Sequence, residues 1–156
     1  MDQFLGTHQN RLDAKGRVSV PAQFRAVLRS NGGQDGDGDG RLVLRPSHRH
    51  ACIEGWSVAE FDALAKPLRR LDLFSEEHDD LSGLLYMDTF RLEPDKEGRV
   101  QLPAVLASHA ALTDAVVFIG LGQYFQIWEP SQAERRRAEL RERARSRTLT
   151  LPGTPA

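Results

Sequence analysis

The chain contains the same ten-residue segment twice, and this internal repeat constrains its fold more than any other feature of its 156 residues. Residues 13–22 read DAKGRVSVPA and residues 95–104 read DKEGRVQLPA, so six of ten positions are identical at an offset of 82. Trp56 and Trp128 follow the two copies at a smaller offset of 72, because the first copy carries a Gly- and Asp-rich insert at 31–40. The repeat predicts two copies of one small unit that pack on each other, since neither is long enough to bury its apolar face alone.

Each copy predicts a β-hairpin that leads into a short helix. Asp13 ends the first strand, and its carboxylate can accept hydrogen bonds from the backbone of the three-residue loop at 14–16. The Gly that ends this loop supplies the positive φ that such a turn needs. Val18 and Val20 alternate with polar residues, so the second strand has one apolar face, and Pro21 ends that strand and begins a helix. The predicted turn-shaping residues are Asp13 and Gly16 in the first copy and Asp95 and Gly98 in the second.

Apolar periodicity predicts the remaining elements and the boundaries between them. In the first half we expect strands at 42–44 and 50–56 and helices at 24–28 and 58–68. In the second half we expect a hairpin at 95–102, strands at 115–119 and 124–128, and helices at 103–109 and from 131. The predicted fold class is α+β, mainly β, with short helices. We divide the chain into a first unit at 5–55, a connecting helical region at 56–84, a second unit at 85–128, an Arg-rich helix at 131–147 and a tail at 148–156 that is expected to be disordered.

Charge is segregated along the chain, although its net value is only −1. Residues 1–29 have five basic and two acidic side chains, and residues 131–156 have seven Arg and three Glu. The intervening residues 30–130 have nine basic and 17 acidic side chains. Two basic ends on an acidic body are compatible with an anionic partner at one face, with packing of unlike charges between subunits, or with charges that are simply solvated.

The sequence does not favour an enzyme, a membrane protein or a secreted protein. It contains no Gly-x-Ser-x-Gly, phosphate-loop, dinucleotide-binding or His-Glu-x-x-His motif. Its apolar runs are far shorter than the roughly 20 residues that a transmembrane helix needs, and no secretory signal is visible. The single Cys, Cys52, excludes an intramolecular disulfide and favours a reducing cytosol. The acidic cluster at 76–80 is interpreted as a solvated face or as a surface for the basic end of a neighbouring subunit.

Two segments contain metal-ligating residue types, and neither predicts a metal site. Residues 35–40 resemble the start of a calcium loop, but its twelfth position is Pro46, where a Glu is required. His48, His50 and Cys52 alternate, so on a strand they would share a face and could hold zinc, but no fourth ligand lies nearby. We therefore expect no metal, no cofactor and no small-molecule substrate.

The repeated segments and their flanks resemble the MraZ family of transcriptional regulators, which consist of two tandem swapped-hairpin units of the SpoVT/AbrB type. The family's opening stands here as Phe4-Leu5-Gly6 followed by the segment at 13–21, and its second copy stands at 95–103. Its late apolar strand and its Trp strand stand at 118–120 and 125–128. The resemblance covers residues 4 to 128 and implies a pseudo-twofold pair of swapped-hairpin, AbrB-like β-barrel units.

The resemblance also implies a function. It implies a cytoplasmic, nucleoid-associated regulator that forms a ring-like homo-oligomer and binds double-stranded DNA at short direct repeats. The resemblance further implies that these repeats lie ahead of its own operon of division and cell-wall genes, and that the regulator mainly represses this operon. By motif match, DNA contact is assigned to Lys15 and Arg17, whereas Arg11, Arg25 and His8 are added from nearness in sequence alone. A hairpin that ends in Lys and Arg suits this role, because a two-stranded ribbon fits the major groove and both cations can bind phosphate.

The second copy differs from the first in charge at its hairpin. Glu97 stands where the first copy has Lys15, and Glu93 stands where it has Arg11. Because carboxylates repel phosphate, we predict that the first copy reads DNA and that the second supports the fold and the oligomer, with Arg99 paired to a carboxylate. Trp56 and Trp128 are assigned to the same supporting role, as anchors of the core or of an interface.

Two alternatives stay open. The Arg-rich helix at 131–147 is either a second DNA-binding arm or, as we prefer, a solvated helix with Glu–Arg pairs. For the whole chain, the alternative function is an antitoxin-like or other protein-interaction module. Antitoxins of this type usually have one unit and a long partner-binding segment, whereas this chain has two units and a short Arg-rich end, which favours the regulator.

Overall fold

The computed structural model describes residues 3–31, 40–147 and 150–153. Over these residues the chain forms eight strands and five α-helices. The strands are β1 Thr7–Arg11, β2 Arg17–Ser19, β3 Leu42–Pro46, β4 Ile53–Ser57, β5 Phe90–Leu92, β6 Arg99–Gln101, β7 Ala115–Gly120 and β8 Phe125–Trp128. The helices are α1 Ala22–Ser30, α2 Val58–Ala65, α3 Glu76–Tyr86, α4 Ala104–His109 and α5 Pro130–Ser146, and a 3-10 helix at Lys66–Arg70 follows α2.

Six of the strands form one antiparallel sheet in the order β1-β7-β8-β4-β3-β5, and β2 pairs with β6 in a two-stranded ribbon. In the repeat, β1 corresponds to β5, β3 to β7 and β4 to β8. Exchanging these corresponding strands reverses the strand order, so the two halves are related by a pseudo-twofold axis between β4 and β8. The first strand of each half pairs with the other half, β1 with β7 and β5 with β3. The two halves are therefore interleaved along their whole sheet.

One apolar core lies on the inner face of the sheet, beneath the ribbon and helices α1 and α4. Four phenylalanines form its centre, with ring centroids 5.0 to 6.1 Å apart, and they come from both ends of the chain: Phe4, Phe24, Phe118 and Phe125. Val18 and Val100 face each other in the ribbon and both point into this core. Because both halves fill the same core, the stability of each depends on the other.

Two smaller apolar clusters lie on the outer face of the sheet, each beneath a helix. Trp56 packs with Val43 and Phe61 beneath α2. Trp128 packs with Val117 and Ala133 beneath α5, at the equivalent place in the second half. The Trp, and the helix residue that covers it, are therefore repeated at an offset of 72, although Phe61 is replaced by a much smaller Ala133.

The predicted fold class needs two corrections. The fold is mixed α and β rather than mainly β, since helices contain more of the described residues than strands do, and α3 and α5 account for much of the difference. The described strand pairings close no barrel, because the sheet ends at β1 and β5. Strands β2 and β6 are only three residues long, since Pro21 and Pro103 follow them closely, and they are too short to bridge the two edges.

Two predicted elements also have different boundaries. The strand expected at 50–56 begins only at Ile53, because residues 47–52 form the loop of the β3–β4 hairpin. The helix expected at 58–68 changes from α to 3-10 after Ala65, since Pro67 has no N–H for an α-helical hydrogen bond. The proposed division into domains stays a prediction. Of the tail at 148–156, residues 148–149 and 154–156 lie outside the described residues.

Candidate nucleic-acid interface

The two repeated segments form matching hairpin tips at opposite ends of the β2–β6 ribbon. We call residues 13–17 the first tip and residues 95–99 the second tip. In the ribbon, Arg17 lies opposite Gln101 and Ser19 lies opposite Arg99. Each strand has a valine between these two residues, and both valines point into the core. Because side chains alternate along a strand, the four flanking side chains point away from the core. The outer face of the ribbon therefore presents one Arg near each tip to solvent.

The first tip is closed by the Asp13 carboxylate. Its Oδ1 accepts hydrogen bonds from the backbone N–H of Lys15 at 2.9 Å and of Arg17 at 2.8 Å. Its Oδ2 accepts from Nε of Arg17 at 2.9 Å, in a half-exposed ion pair. Gly16 has a φ of +80°, which a side chain would disfavour. The tip is thus ordered by local contacts, and Lys15 is exposed with no carboxylate partner among the described ion pairs.

The second tip repeats this backbone and adds a carboxylate. Oδ1 of Asp95 accepts from the N–H of Glu97 at 2.9 Å and of Arg99 at 3.0 Å, and Gly98 has a φ of +81°. Nε of Arg99 donates to Asp95 at 3.1 Å, while its Nη2 lies 2.9 Å from Oε2 of Glu97. Arg99 is therefore held between two carboxylates, whereas Arg17 pairs with one among the described residues.

The hydrogen bonds of the two turns lower the pKa of both aspartates. The backbone N–H of Arg17, helped by its guanidinium and by the N–H of Lys15, lowers the pKa of Asp13 below its ordinary value of 3.8. The backbone N–H of Arg99 and that of Glu97 lower the pKa of Asp95 in the same way. Both carboxylates are therefore ionised at neutral pH, which keeps both tips ordered.

Each tip is also supported by a residue from the other half. Nε2 of Gln101 donates to the carbonyl of Lys15, and a Cβ on Gly16 would lie only 2.8 Å from that nitrogen. The guanidinium of Arg25 lies over Gly98, where an added Cβ would lie 2.6 Å from its atoms, and its Nε donates to the Val20 carbonyl at 3.1 Å. Gln101 has no local sequence signal for this role, because its contact with Lys15 spans 86 residues.

The structure separates the residues that were grouped by nearness in sequence. Arg11 is exposed at the end of β1, on the approach to the first tip. Arg25 lies at the second tip instead, because the antiparallel ribbon brings the end of β2 to Gly98. His8 packs its ring on Phe24, 5.1 Å between centroids, and its Nε2 lies 3.2 Å from the Leu5 carbonyl. These contacts turn His8 toward the core and away from the first tip.

Trp56 and Trp128 are buried inside the chain, and each has a repeated polar partner. Nε1 of Trp56 donates to Glu54 at 3.2 Å, and Nε1 of Trp128 donates to Gln126 at 2.9 Å. Glu54 and Gln126 themselves face each other where β4 pairs with β8. The two indoles therefore anchor equivalent helices on either side of the pseudo-twofold axis.

The residues considered as zinc ligands do not converge. They lie in a loop rather than on a strand, and His48 Nε2 accepts a hydrogen bond from Arg45 Nη2 at 2.6 Å. His50 lies against Trp128, and burial raises the pKa of Cys52 to about 12. Over the described residues, no three His, Cys, Asp or Glu side chains are grouped to hold a metal ion. The calcium-like segment at 35–40 lies, except for its last residue, outside the described residues.

The helices carry no membrane-spanning signal: within the described part of the chain, none combines enough length with enough apolar character to cross a bilayer.

Comparison with known proteins gives matches over nearly the whole chain. Residues 3–82 and 85–150 match the family described as "MraZ protein, putative antitoxin-like". The chain is 59% identical over 152 residues to the transcriptional regulator MraZ of Gluconacetobacter diazotrophicus, covering 97% of this chain and 93% of that protein. It is 57% identical over 156 residues to the same regulator of Gluconobacter oxydans, covering 100% and 92%. For the regulator of Azorhizobium caulinodans, the identity is 41% over 154 residues, covering 97% and 92%.

Proposed function

The chain belongs to the MraZ family, and on that premise we propose that it is a transcriptional regulator that binds double-stranded DNA through its first hairpin tip. Its relatives are named transcriptional regulators, and a regulator of transcription needs a surface that contacts nucleic acid. Residues Lys15 and Arg17 of the first tip are the proposed contacts, and exposed Arg11 extends the same cationic surface. Arg25 is retained only as a contact from the far end of the ribbon.

The observation that carries this proposal is the difference in charge between two tips of equal backbone geometry. Both tips have the same aspartate-closed turn and the same positive-φ glycine. At matched positions the first presents Lys15, which has no ion-pair partner in the described part of the chain, and the second presents Glu97 bound to Arg99. Residues 13–17 have a net charge of +1, whereas residues 95–99 have a net charge of 0. Phosphate is therefore attracted more strongly by the first tip, and this tip suits a nucleic-acid contact better than the second.

The ion pair with Asp13 prepares Arg17 for such a contact. Nε of Arg17 is occupied by Asp13, while its two Nη groups have no partner among the described hydrogen bonds. A guanidinium fixed at one edge offers its remaining donors to a phosphate or a guanine edge with less loss of side-chain freedom. Lys15 adds a mobile point charge beside it. The tip therefore combines one oriented donor group with one adaptable cation.

The family resemblance supports a specific assembly, binding site and regulated operon. We propose that a cytoplasmic, nucleoid-associated homo-oligomer with a ring-like arrangement presents several first tips to short direct repeats. Individually weak contacts then add through multivalency. The regulated operon is its own, with division and cell-wall genes, and the main effect is repression.

The test compares matched substitutions in the two tips. A labelled duplex from upstream of the gene is titrated with wild type, Lys15→Ala and Lys96→Ala at several salt concentrations. Lys15→Ala should weaken binding and make the slope of log K against log salt shallower by ~0.9 for each tip engaged. Lys96→Ala removes the same charge from the second tip and should leave both quantities close to those of wild type.

A second matched pair tests the role of the two arginines. Arg17→Ala should weaken DNA binding, whereas Arg99→Ala should change the DNA affinity only slightly. Loss of DNA affinity in Arg99→Ala, with the oligomer intact, would contradict the division of labour between the tips. Binding that survives both Lys15→Ala and Arg17→Ala would move the contact to α5 or the second tip. If the native duplex binds no better than a scrambled one, the protein-interaction module becomes the better explanation.

A further inference from the structure

A basic groove lies between helix α5 and the outer face of the sheet. Its cavity is about 510 Å³, and its apolar floor and wall are Ile119, Leu121 and Leu140. Leu121 and Leu140 are 44% and 46% exposed. Its cationic rim includes Arg49, Arg137 and Arg141. Among the described ion pairs none involves these three arginines, so the groove combines unpaired positive charge with exposed apolar surface.

His50 also lines this groove, and its surroundings lower its pKa. Burial lowers the pKa of His50, and the positive charges of Arg136 and Arg49 lower it further. The carboxylate of Glu139 opposes them, and it forms an ion pair with Arg136 at 3.3 Å. Burial and the nearby arginines therefore both disfavour the protonated form of His50.

The pseudo-twofold axis shows what covers the equivalent place in the first half. Arg45 lies opposite Glu54 in the β3–β4 pair, and Ile119 lies opposite Gln126 in the β7–β8 pair, so the axis maps Arg45 onto Ile119. Helix α3 covers Arg45, whose Nη2 donates to the Leu84 carbonyl at 2.8 Å. The described chain has no helix after α5, so Ile119 lacks this cover.

Helix α3 presents an acidic and apolar stripe to solvent. Its outward side chains at helical spacing are Glu77, Asp80, Leu81, Leu84 and Asp88, the last just beyond its end. Phe74 and Met87 flank the stripe and are 91% and 79% exposed. Residues 71–90 contain acidic side chains but no Lys or Arg. The stripe therefore has the charge and the apolar surface that complement the basic groove.

We propose that the acidic stripe of one copy of the chain docks in the basic groove of a second copy. This interface rests on the homo-oligomer of the proposed function and names the two surfaces that join. The stripe cannot fill its own groove while α3 is held on the first half of its own sheet by Arg45. Because the two surfaces differ, the contact is head to tail, and repetition through a closing rotation yields a ring.

Apolar content favours this occupant over a nucleic acid. Leu121, Leu140 and Ile119 would stay exposed beneath a phosphate backbone, whereas Leu81 and Leu84 of a second copy would cover them. The exposed leucines on both sides are removed from water by the same contact that pairs their charges.

The test is a charge swap measured by sedimentation velocity and light scattering. One variant reverses the groove, Arg137→Glu with Arg141→Glu, and a second reverses the stripe, Glu77→Arg with Asp80→Arg. Each alone should weaken self-association about tenfold or more, because like charges then face each other. An equal mixture should associate again, since the reversed groove fits the reversed stripe and the two unaltered surfaces fit each other. Circular dichroism checks that both variants are folded.

The matched control is Arg135→Glu with Arg145→Glu, which makes the same charge change on the same helix outside the groove and should not alter association. Association unchanged in the groove variant, or no recovery in the mixture, would overturn the interface. Loss of DNA binding with association intact would reassign the groove to nucleic acid and overturn it as well. A wild-type chain that stays monomeric at all concentrations would instead refute the proposed oligomer, while DNA binding by the first tip would still stand or fall by the Lys15→Ala titration.

Discussion

At the scale of single residues, the two tips show how one side chain changes the use of a repeated turn. The backbone of both tips is fixed by an aspartate that accepts two N–H groups and an Arg Nε. The residue two positions after the aspartate contributes only its backbone N–H to the turn, so its side chain is free to differ. It is Lys15 in one copy, and in the other it is Glu97, which binds Arg99.

The lowered pKa values of Asp13 and Asp95 predict a pH dependence of stability. In the folded chain both carboxylates ionise below 3.8, so the folded state binds fewer protons than the unfolded state in this range. Their contribution is complete above the unfolded pKa of about 3.9 and is lost as the pH falls through the lower folded values.

The double variant Asp13→Asn with Asp95→Asn should therefore have a lower Tm than wild type at pH 6.5, and the difference should shrink toward zero near pH 2.5. Thermal unfolding followed by circular dichroism at both pH values measures it. A Tm difference that is equally large at low pH would mean that shape rather than ionisation of these side chains matters. Asp62→Asn, at an exposed aspartate of α2, serves as a control for a charge change outside the tips.

At the scale of elements, a buried polar network holds α3 on the sheet. Arg45 and Glu54 form an ion pair at 2.7 Å with side chains only 3% and 8% exposed. Arg45 also donates to the Leu84 carbonyl and to His48, whose pKa is lowered by burial and by the Arg45 charge. His48 accepts this bond as a neutral imidazole, because Arg has only donors. At the positions equivalent to Arg45 and Glu54, the second half has the uncharged residues Ile119 and Gln126.

Breaking this ion pair should be costly, and converting it to the uncharged set should be less so. Arg45→Ile leaves the Glu54 carboxylate buried and should lower the free energy of unfolding by about 3–5 kcal/mol. Adding Glu54→Gln removes the stranded charge and should recover a large part of that loss. Urea unfolding of the single and double variants measures both values. A double variant that is less stable than Arg45→Ile would show that the two side chains are not coupled in this way.

At the scale of the whole molecule, interleaving makes the two halves one folding unit. Strand β1 needs β7, strand β5 needs β3, and the four central phenylalanines come from both halves. A chain cut between the halves would expose both the edge strands and the shared core. The same pseudo-twofold arrangement places α2 and α5 over equivalent Trp residues but leaves the groove beneath α5 open.

Fragments 1–88 and 89–156 should therefore be unfolded as separate monomers. Mixing them should restore the circular dichroism spectrum and cooperative unfolding of the intact chain. Because the halves are pseudo-equivalent, a fragment that gains structure alone should do so only as a dimer, with a signal that depends on concentration. A fragment that is folded and monomeric at micromolar concentration would contradict the interleaved core.

The sequence by itself determined the features that depend on neighbours within a few residues. The repeat located both hairpins. Asp13 and Gly16 predicted the first turn, because this turn is closed by hydrogen bonds from Asp13 to residues 15 and 17. The same locality allowed helices to be predicted after Pro21 and Pro103, and the charge contrast between the tips was readable from the aligned letters.

Only the tertiary structure decided which distant residues meet. Sequence nearness assigned Arg25 to the first tip, whereas strand pairing carries it to Gly98 of the second. The support of Lys15 by Gln101, the cover of Arg45 by α3 and the groove beneath α5 have no local signal. They arise because burying one shared core forces the halves to interleave, and that choice fixes contacts between segments far apart in the chain.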